Sequence, residues 1–151
     1  MIDSDPALAL PGLPALELRL ILPDERPQFD QTLCAEHTLH NANLVGETLR
    51  YVAVGADGRW LALFGWSSPA LRLRLRGGWL GWSEGQRAAR LRLIAQNRRF
   101  LIRAERAVYS NLASPLLARC TRRLADDWLA THGHTGLVAE SFIDPERYEG
   151  T

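Results

Sequence analysis

The stretch Gly77–Arg90 contains the residue types that proteins use to hold nucleic acid. It reads GGWLGWSEGQRAAR and places Trp79 and Trp82 beside a series of arginines. Aromatic rings can stack on bases while arginines bind the phosphates between them. The two tryptophans can instead belong to the core or to a cleft wall, packed under a helix that begins at Ser83. We expect this second arrangement, which predicts that both rings are largely covered.

The arginines are concentrated in the middle of the chain, and no lysine is present. Residues 72–123 carry thirteen arginines and two acids, a net charge of +11. Residues 1–71 carry four arginines and nine acids, and residues 124–151 carry one arginine and six acids. This segregation indicates either an anionic partner or ion pairs between the segments. An anionic nucleic acid would be held through its phosphates, without sequence readout, by Arg76, Arg87, Arg90, Arg98, Arg99, Arg122 and Arg123.

A second candidate site is the start of a long helix that the apolar spacing predicts from residue 112. The free N–H groups of a helix start and the helix dipole favour an anion. The phosphates of a nucleotide or of acyl-CoA would then meet Ser110, Asn111, Ala113 and Ser114. The alternative is an ordinary capped helix, with Asn111 or Ser110 as the N-cap.

Cys34, His37 and His40 follow the spacing C-x-x-H-x-x-H. Positions i and i+3 of a helix share a face, and two later histidines, His132 and His134, add possible ligands. The spacing matches no zinc finger, however, so we assign no metal site. The second cysteine, Cys120, is distant in the sequence, and we expect both thiols to be free and buried.

The hydrophobic pattern predicts a single α+β domain at residues 16–151, after a loose, proline-rich arm at residues 1–15. Asp57-Gly58 marks a β-hairpin turn, and Ser83 with Gln86 forms a capping box. Strands are predicted at residues 16–22, 49–54, 59–66, 99–104 and 136–142, and helices at residues 24–37, 83–96 and 112–132. The predicted sheet is mixed, largely antiparallel and flanked by helices.

The N-terminus is acidic at first and lacks the basic region of a signal peptide. No apolar run approaches the roughly 18 residues of a membrane span. We therefore expect a cytoplasmic protein with no membrane partner.

Several strings occur in the order found in a known family: WLGWS at 79–83, NRRFLI at 97–102, NLAS at 111–114 and ESFID at 140–144. They resemble the DruA family of Druantia anti-phage systems, and the resemblance covers residues 18–151. It implies a bacterial protein of multi-gene phage defence, with relatives beside or fused to transposase-like sequences. The chain departs from the pattern at Gly77, where the family has an acid, and at Pro115, where it has a histidine. The family pattern continues past Thr151, so the chain resembles a truncated, partly diverged member.

The resemblance also implies candidate catalytic residues. His37 matches a family block and would transfer a proton, while Glu140 and Asp144 match the family's acids. The order of elements resembles an incomplete GNAT acyltransferase, in which cofactor phosphates would bind at the helix entry near Asn111.

Three hypotheses follow from the sequence. The first is a non-enzymatic DruA-like protein that binds nucleic acid or another defence protein through its arginines. The second is an acyl-CoA-dependent transferase, and the third is an inactive remnant. The cofactor is left open, with acyl-CoA as the candidate.

Overall fold

The computed structural model describes residues 15–70, 73–103, 111–135 and 138–142. Within these ranges five strands form one sheet in the order of the sequence. The first four strands are antiparallel to their neighbours, and the last two are parallel. The α+β class and the largely antiparallel sheet are thus confirmed. The strands are β1 Leu16–Leu20, β2 Thr48–Gly55, β3 Trp60–Ser67, β4 Ile94–Ile102 and β5 Val138–Ser141.

The helices lie between these strands. A 3-10 turn, Pro23–Glu25, leads into the first helix, and another, Leu91–Leu93, connects the third helix to β4. The helices are α1 Arg26–Glu36, α2 Arg74–Leu80, α3 Glu84–Arg90 and α4 Ala113–His132. α4 is the connection between the parallel strands β4 and β5.

The hairpin of β2 and β3 is formed as predicted. Gly58 takes a positive φ of +81° in its turn, and Asp57 accepts the backbone N–H of Arg59 at 3.1 Å. Side chains of a strand alternate between the two faces of a sheet. Tyr51 therefore joins the apolar cluster beneath α4, while its neighbour Val52 joins the cluster beneath α1.

The predicted apolar stripe of α4 covers one face of the sheet. Its members Leu116, Cys120, Leu124 and Trp128 are buried. The indole N–H of Trp66 donates to the Cys120 sulfur at 3.2 Å, and burial raises the pKa of that thiol to about 12. The helix ends at His132, as predicted, and is capped by Gly133, whose left-handed φ of +78° suits a glycine.

Two expectations are wrong, and one helix was not predicted. The helix predicted to reach residue 96 ends at Arg90, because Ile94 and Ala95 are buried in β4 and pair with β5. Helix α2 was not predicted, since two glycines interrupt its sequence. Trp79, which lies on α2, is 80% exposed rather than covered. Trp82 is only partly exposed, as expected for a cleft wall.

Candidate functional site

The most buried ion pair of the described residues joins two residues that the sequence assigned to different functions. Nε and Nη2 of Arg76 donate to Oε2 and Oε1 of Glu140, at 2.7 and 2.6 Å. Nη1 of the same arginine donates to the carbonyl of Ala70 at 2.9 Å. The two charged side chains are 5% and 13% exposed. Since every nitrogen of the guanidinium and both carboxylate oxygens are engaged, this geometry favours a structural role that attaches α2 to β5.

Arg99 is also directed inward. It is buried on β4, and its Nε donates to the carbonyl of Asn41 at 2.6 Å. Burial lowers the pKa of Arg99, and the charge of the adjacent Arg98 lowers it further. Protein groups therefore already occupy the guanidinium that was expected to contact phosphate.

His37 lies just after α1, near Arg99. Burial lowers the pKa of His37, and the neighbouring charges of Arg99 and His40 lower it further. Its Nδ1 accepts the backbone N–H of Leu39 at 3.1 Å. A neutral imidazole suits a general base, but no contact within the described residues joins His37 to Glu140. The third catalytic candidate, Asp144, lies outside the described residues.

Arg123 is held within α4 and against β1. Its Nε donates to Asp127 at 2.7 Å, and its Nη1 donates to the carbonyl of Leu18 at 2.8 Å. Together with Arg103, which is paired with Glu36 at 2.9 Å, it shows that part of the basic segment is neutralised internally.

The remaining arginine candidates lie at the surface. Arg98 donates to Gln96 at 3.2 Å, and Arg122 is exposed on α4. The guanidinium of Arg90 lies 5.8 Å from the centroid of the Trp82 ring, a cation–π distance. Arg87 lies on the same helix as Arg90 and is partly exposed.

An open groove of about 780 Å³ lies between α2 and α3. Two of its described lining residues are arginines, Arg87 and the exposed Arg74, and both belong to the basic middle of the chain. Among the described lining residues the acid is Glu84, and it already has an interaction partner. The lining residues are Leu73, Arg74, Gly77, Gly78, Glu84 and Arg87. The capping box predicted at Ser83 and Gln86 begins α3 and fixes one side of the groove.

The sequence contained a signal for helix α2 that did not enter the prediction. Leu75 and Trp79 are four residues apart, the spacing of one helix face, and Arg74 begins the same helix. Gly77 and Gly78 are poor helix formers, so their presence argued against a helix here. The exposed apolar face of α2 was therefore missed.

The entry to α4 differs from the predicted capped helix. Asn111 has a left-handed φ of +64°, and the N-cap is Leu112, which has no side chain that could cap. Ser114 already has an interaction partner, Ala113 is exposed, and Ser110 lies outside the described residues. The prediction of Asn111 as N-cap is wrong, because Asn111 has a left-handed backbone conformation and lies one residue before the N-cap. Phosphate binding at this position stays a prediction.

The cysteine and histidine motif is not assembled on a helix. α1 ends at Glu36, so His37 is in extended backbone and the shared face of positions i and i+3 is lost. Cys34 is exposed, contrary to our expectation, whereas Cys120 is buried. His134 instead contacts Glu47 at 2.6 Å. In the described ranges, no three His, Cys, Asp or Glu side chains are grouped closely enough to hold a metal ion.

The family strings lie where these elements meet. WLGWS spans the end of α2 and the start of α3, NRRFLI lies in β4, and NLAS begins α4. The family model of the Druantia protein DruA matches residues 5–148, nearly the whole chain. The chain belongs to the DruA family. Membership in the DruA family makes the chain a component of Druantia anti-phage defence.

No curated protein and no solved structure showed significant similarity to this DruA-family chain. None of the helices in its described ranges is long and apolar enough to cross a membrane.

Proposed function

We propose that this DruA-family chain binds nucleic acid through the arginines of α2 and α3, by phosphate contacts that do not read sequence. The observation that carries the proposal is the position of Arg74 and Arg87, which line one groove, with Arg90 on the same helix as Arg87. None of the three has a carboxylate partner among the described residues. Unpaired surface arginines attract phosphates and release counterions on binding.

The internal ion pairs reduce the number of arginines that are available to bind phosphate. Arg76 and Arg123 were candidates for phosphate contact, but both are held by carboxylates and by backbone carbonyls. The positive charge available to a ligand is thus smaller than the sequence total. It is located on α2 and α3, at the exposed Arg122 and at the partly exposed Arg98. Nucleic acid and other defence-system proteins are the two classes of partner that such a surface could serve.

A triple variant tests the proposal: Arg74→Gln, Arg87→Gln and Arg90→Gln. We expect it to bind labelled DNA or RNA more weakly than the wild type at low salt. The slope of log affinity against log salt should also become shallower, by roughly 0.7 to 0.9 for each phosphate that the variant no longer neutralises. Fluorescence anisotropy across a salt series measures both quantities.

The matched control removes exposed arginines that already have carboxylate partners. Arg26 is paired with Asp30, and Arg59 is paired with Asp57. The variant Arg26→Gln with Arg59→Gln should keep the wild-type salt slope. Failure of the wild type to bind any nucleic acid at low salt would contradict the proposal. Retained co-purification with another Druantia protein would then favour the partner-protein alternative.

An acyl-CoA-dependent transferase is the second candidate, and the topology favours it. α4 connects the parallel strands β4 and β5, and the register between β3 and β4 shifts at Gly65 and Trp66. The GNAT-like fold itself was suggested by the order of the elements alone, a strand and a helix, antiparallel strands, and then a strand that leads into a helix. The bidentate pairing of Glu140 with Arg76 weakens the case for Glu140 as its base.

Thermal shift and calorimetry with acetyl-CoA test this second candidate. A transferase of this type should bind the cofactor at millimolar concentration or below, and Asn111→Ala with Ser114→Ala should weaken that binding. Absence of both heat and thermal shift would dispose of the candidate. If nucleic acid and known defence partners also fail to bind, the inactive-remnant hypothesis is the one that survives.

A further inference from the structure

The face of the sheet opposite α4 changes from apolar to polar along its strands. Its apolar part lies beneath α1, where Val52, Leu63 and Leu101 form one row across β2, β3 and β4. The next two rows on this face, which we call the polar rows, are Arg50, Gly65 and Arg99, followed by Thr48, Ser67, Gln96 and Glu140. Four of the seven buried polar or charged side chains of the described residues belong to the polar rows. Because burying polar groups costs free energy, this concentration is typical of a binding site.

The polar rows contain two buried arginines whose charge no carboxylate neutralises. Arg50 is 9% exposed and Arg99 is 6% exposed, and neither forms an ion pair with an acid of the described residues. Burial lowers the pKa of Arg50, and burial and the charge of Arg98 lower the pKa of Arg99. The acid whose charge acts on Arg50 is Asp30, on α1, and Asp30 is already paired with Arg26. This part of the fold therefore has a surplus of positive charge.

Arg50 is the arginine that has a free donor. Its Nη1 donates to Oγ1 of Thr48 at 2.9 Å, whereas its Nε is buried and has no hydrogen-bond partner within the described ranges. Since Thr48 is partly exposed, the guanidinium of Arg50 lies close to the surface. Arg99 differs, because the carbonyls of Asn41 and Arg98 hold its Nε and Nη1 without cancelling its charge. Arg50 is thus suited to contact a ligand, and Arg99 adds a second charge.

Gly65 lies between the two arginines in their row. A Cβ built at Gly65 would lie 3.0 Å from Cδ1 of Leu44 and 3.1 Å from Cβ of Arg99, so the glycine lets the segment before β2 pass over the row. Two interstrand spacings, roughly 10 Å, separate the Cα atoms of Arg50 and Arg99. The register shift between β3 and β4 keeps Gln96 on the same face. Both positive charges therefore act on one region of this face.

We infer that Arg50 binds a phosphate monoester, with Arg99 supplying the second positive charge of the site. Charge selects this ligand, because a phosphate monoester carries about −1.5 to −2 at pH 7, whereas a carboxylate carries a single charge. The acid of the polar rows, Glu140, is already paired with Arg76. The polar rows lie on the sheet and not on α2 or α3, so the inference does not rest on the proposed function.

Calorimetry on the full chain compares the wild type with Arg50→Gln. The probes are inorganic phosphate, adenosine 5′-monophosphate, adenosine, and an oligothymidylate with either a 5′-phosphate or a 5′-hydroxyl. We expect Arg50→Gln to bind the phosphate and the monophosphate roughly 10- to 150-fold more weakly than the wild type does, the size of one charged hydrogen bond. Adenosine, which has no phosphate, should bind neither protein.

Thermal unfolding without phosphate separates a ligand contact from a structural arginine. Arg50→Gln should not lower the midpoint, because it removes a buried charge that has no counterion. The matched control is Arg123→Gln, on the other face of the sheet, where Arg123 is partly buried and paired with Asp127. This control should lower the midpoint and keep the wild-type affinity for phosphate. If Arg50→Gln lowers the midpoint as the control does, Arg50 is structural and the inference is overturned.

The strands identify the source of the phosphate. Tighter binding of the 5′-phosphorylated strand than of the 5′-hydroxyl strand, lost in Arg50→Gln, supports the inference and assigns the site to strand ends. Equal binding of the two strands, with Arg50-dependent binding of adenosine 5′-monophosphate, supports it and assigns the site to small phosphate esters. A wild type that binds no phosphate probe, or an Arg50→Gln variant with unchanged affinity for all of them, overturns it.

The triple arginine variant of α2 and α3 distinguishes this site from the proposed function. It should keep the wild-type affinity for adenosine 5′-monophosphate, whatever happens to its binding of long strands. Loss of monophosphate binding in the triple variant, with no loss in Arg50→Gln, would assign the phosphate to the groove and overturn the inference alone.

Discussion

Single residues acquire their roles from the contacts that the fold gives them. Arg76 and Glu140 look like a phosphate ligand and a general base in the sequence, and they meet as a bidentate pair in the structure. A buried charge without a counterion lowers the stability of the folded state, so removing either member of such a pair destabilises the protein. The pair therefore attaches α2 to β5, and a catalytic role of Glu140 stays a prediction.

The substitution Glu140→Gln is expected to lower the free energy of unfolding by about 3 kcal/mol, because it leaves the Arg76 charge buried without a counterion. Urea unfolding followed by circular dichroism measures this loss. The exposed pair of Arg59 and Asp57 supplies the comparison, and Asp57→Asn should cost less than about 1 kcal/mol. Equal costs for the two variants would show that the Arg76 pair is no more important than a surface pair.

At the scale of secondary-structure elements, the groove depends on the short helix α2. α2 is seven residues long and contains two adjacent glycines, which weaken a helix, yet it presents the exposed face of Leu75 and Trp79. It ends at Gly81, whose φ of +63° lies in the left-handed region that favours glycine. The groove thus depends on a helix of low intrinsic stability, which Arg76 attaches to β5.

Gly78→Ala is expected to stabilise the protein by roughly 0.5 to 1 kcal/mol, because Gly78 lies inside α2 and a Cβ there meets nothing within 4 Å. Gly81→Ala serves as the matched opposite. It should destabilise the protein by roughly 1 kcal/mol, since alanine strains a left-handed position. Chemical unfolding of the two variants side by side decides the matter, and a shift of the same sign in both would contradict the assignment of the helix end.

At the scale of the whole molecule, one sheet separates two apolar clusters. The cluster beneath α4 contains Cys120 and Trp66, and the cluster beneath α1 contains Phe29 and Leu33. Cys34 lies on α1 but faces solvent. The reactivity of the Cys120 thiol therefore reports on access to the core, and the reactivity of the Cys34 thiol reports on the surface.

With Ellman's reagent at mildly alkaline pH, we expect one of the two thiols of the native chain to react rapidly. That thiol is Cys34, since burial raises the pKa of Cys120 to about 12 and denies the reagent access. Cys34→Ser should abolish the fast phase, and denaturant should release the second thiol. Rapid reaction of both thiols in the native protein would mean that the α4 cluster is not closed.

Much of the fold was predictable because it follows from local patterns. The hairpin turn at Asp57-Gly58, the capping box at Ser83 and the stripe of α4 each depend on a few neighbouring residues, and each appears as predicted. The end of α3 was not predictable in this way, because Ile94 and Ala95 follow helical spacing but pair with β5 instead. Sheet pairing over a long sequence separation overrides a weak local preference.

By itself, the sequence determined the family, the α+β class and the surplus of arginine in the middle of the chain. Only the tertiary structure decided which arginines are available, because Glu36, Asp127 and Glu140 neutralise three of them through contacts invisible to local patterns. It also decided that Trp79 faces water. Local spacing records which residues share a helix face, whereas exposure depends on whether another element covers that face, and among the described residues none covers the face of Leu75 and Trp79.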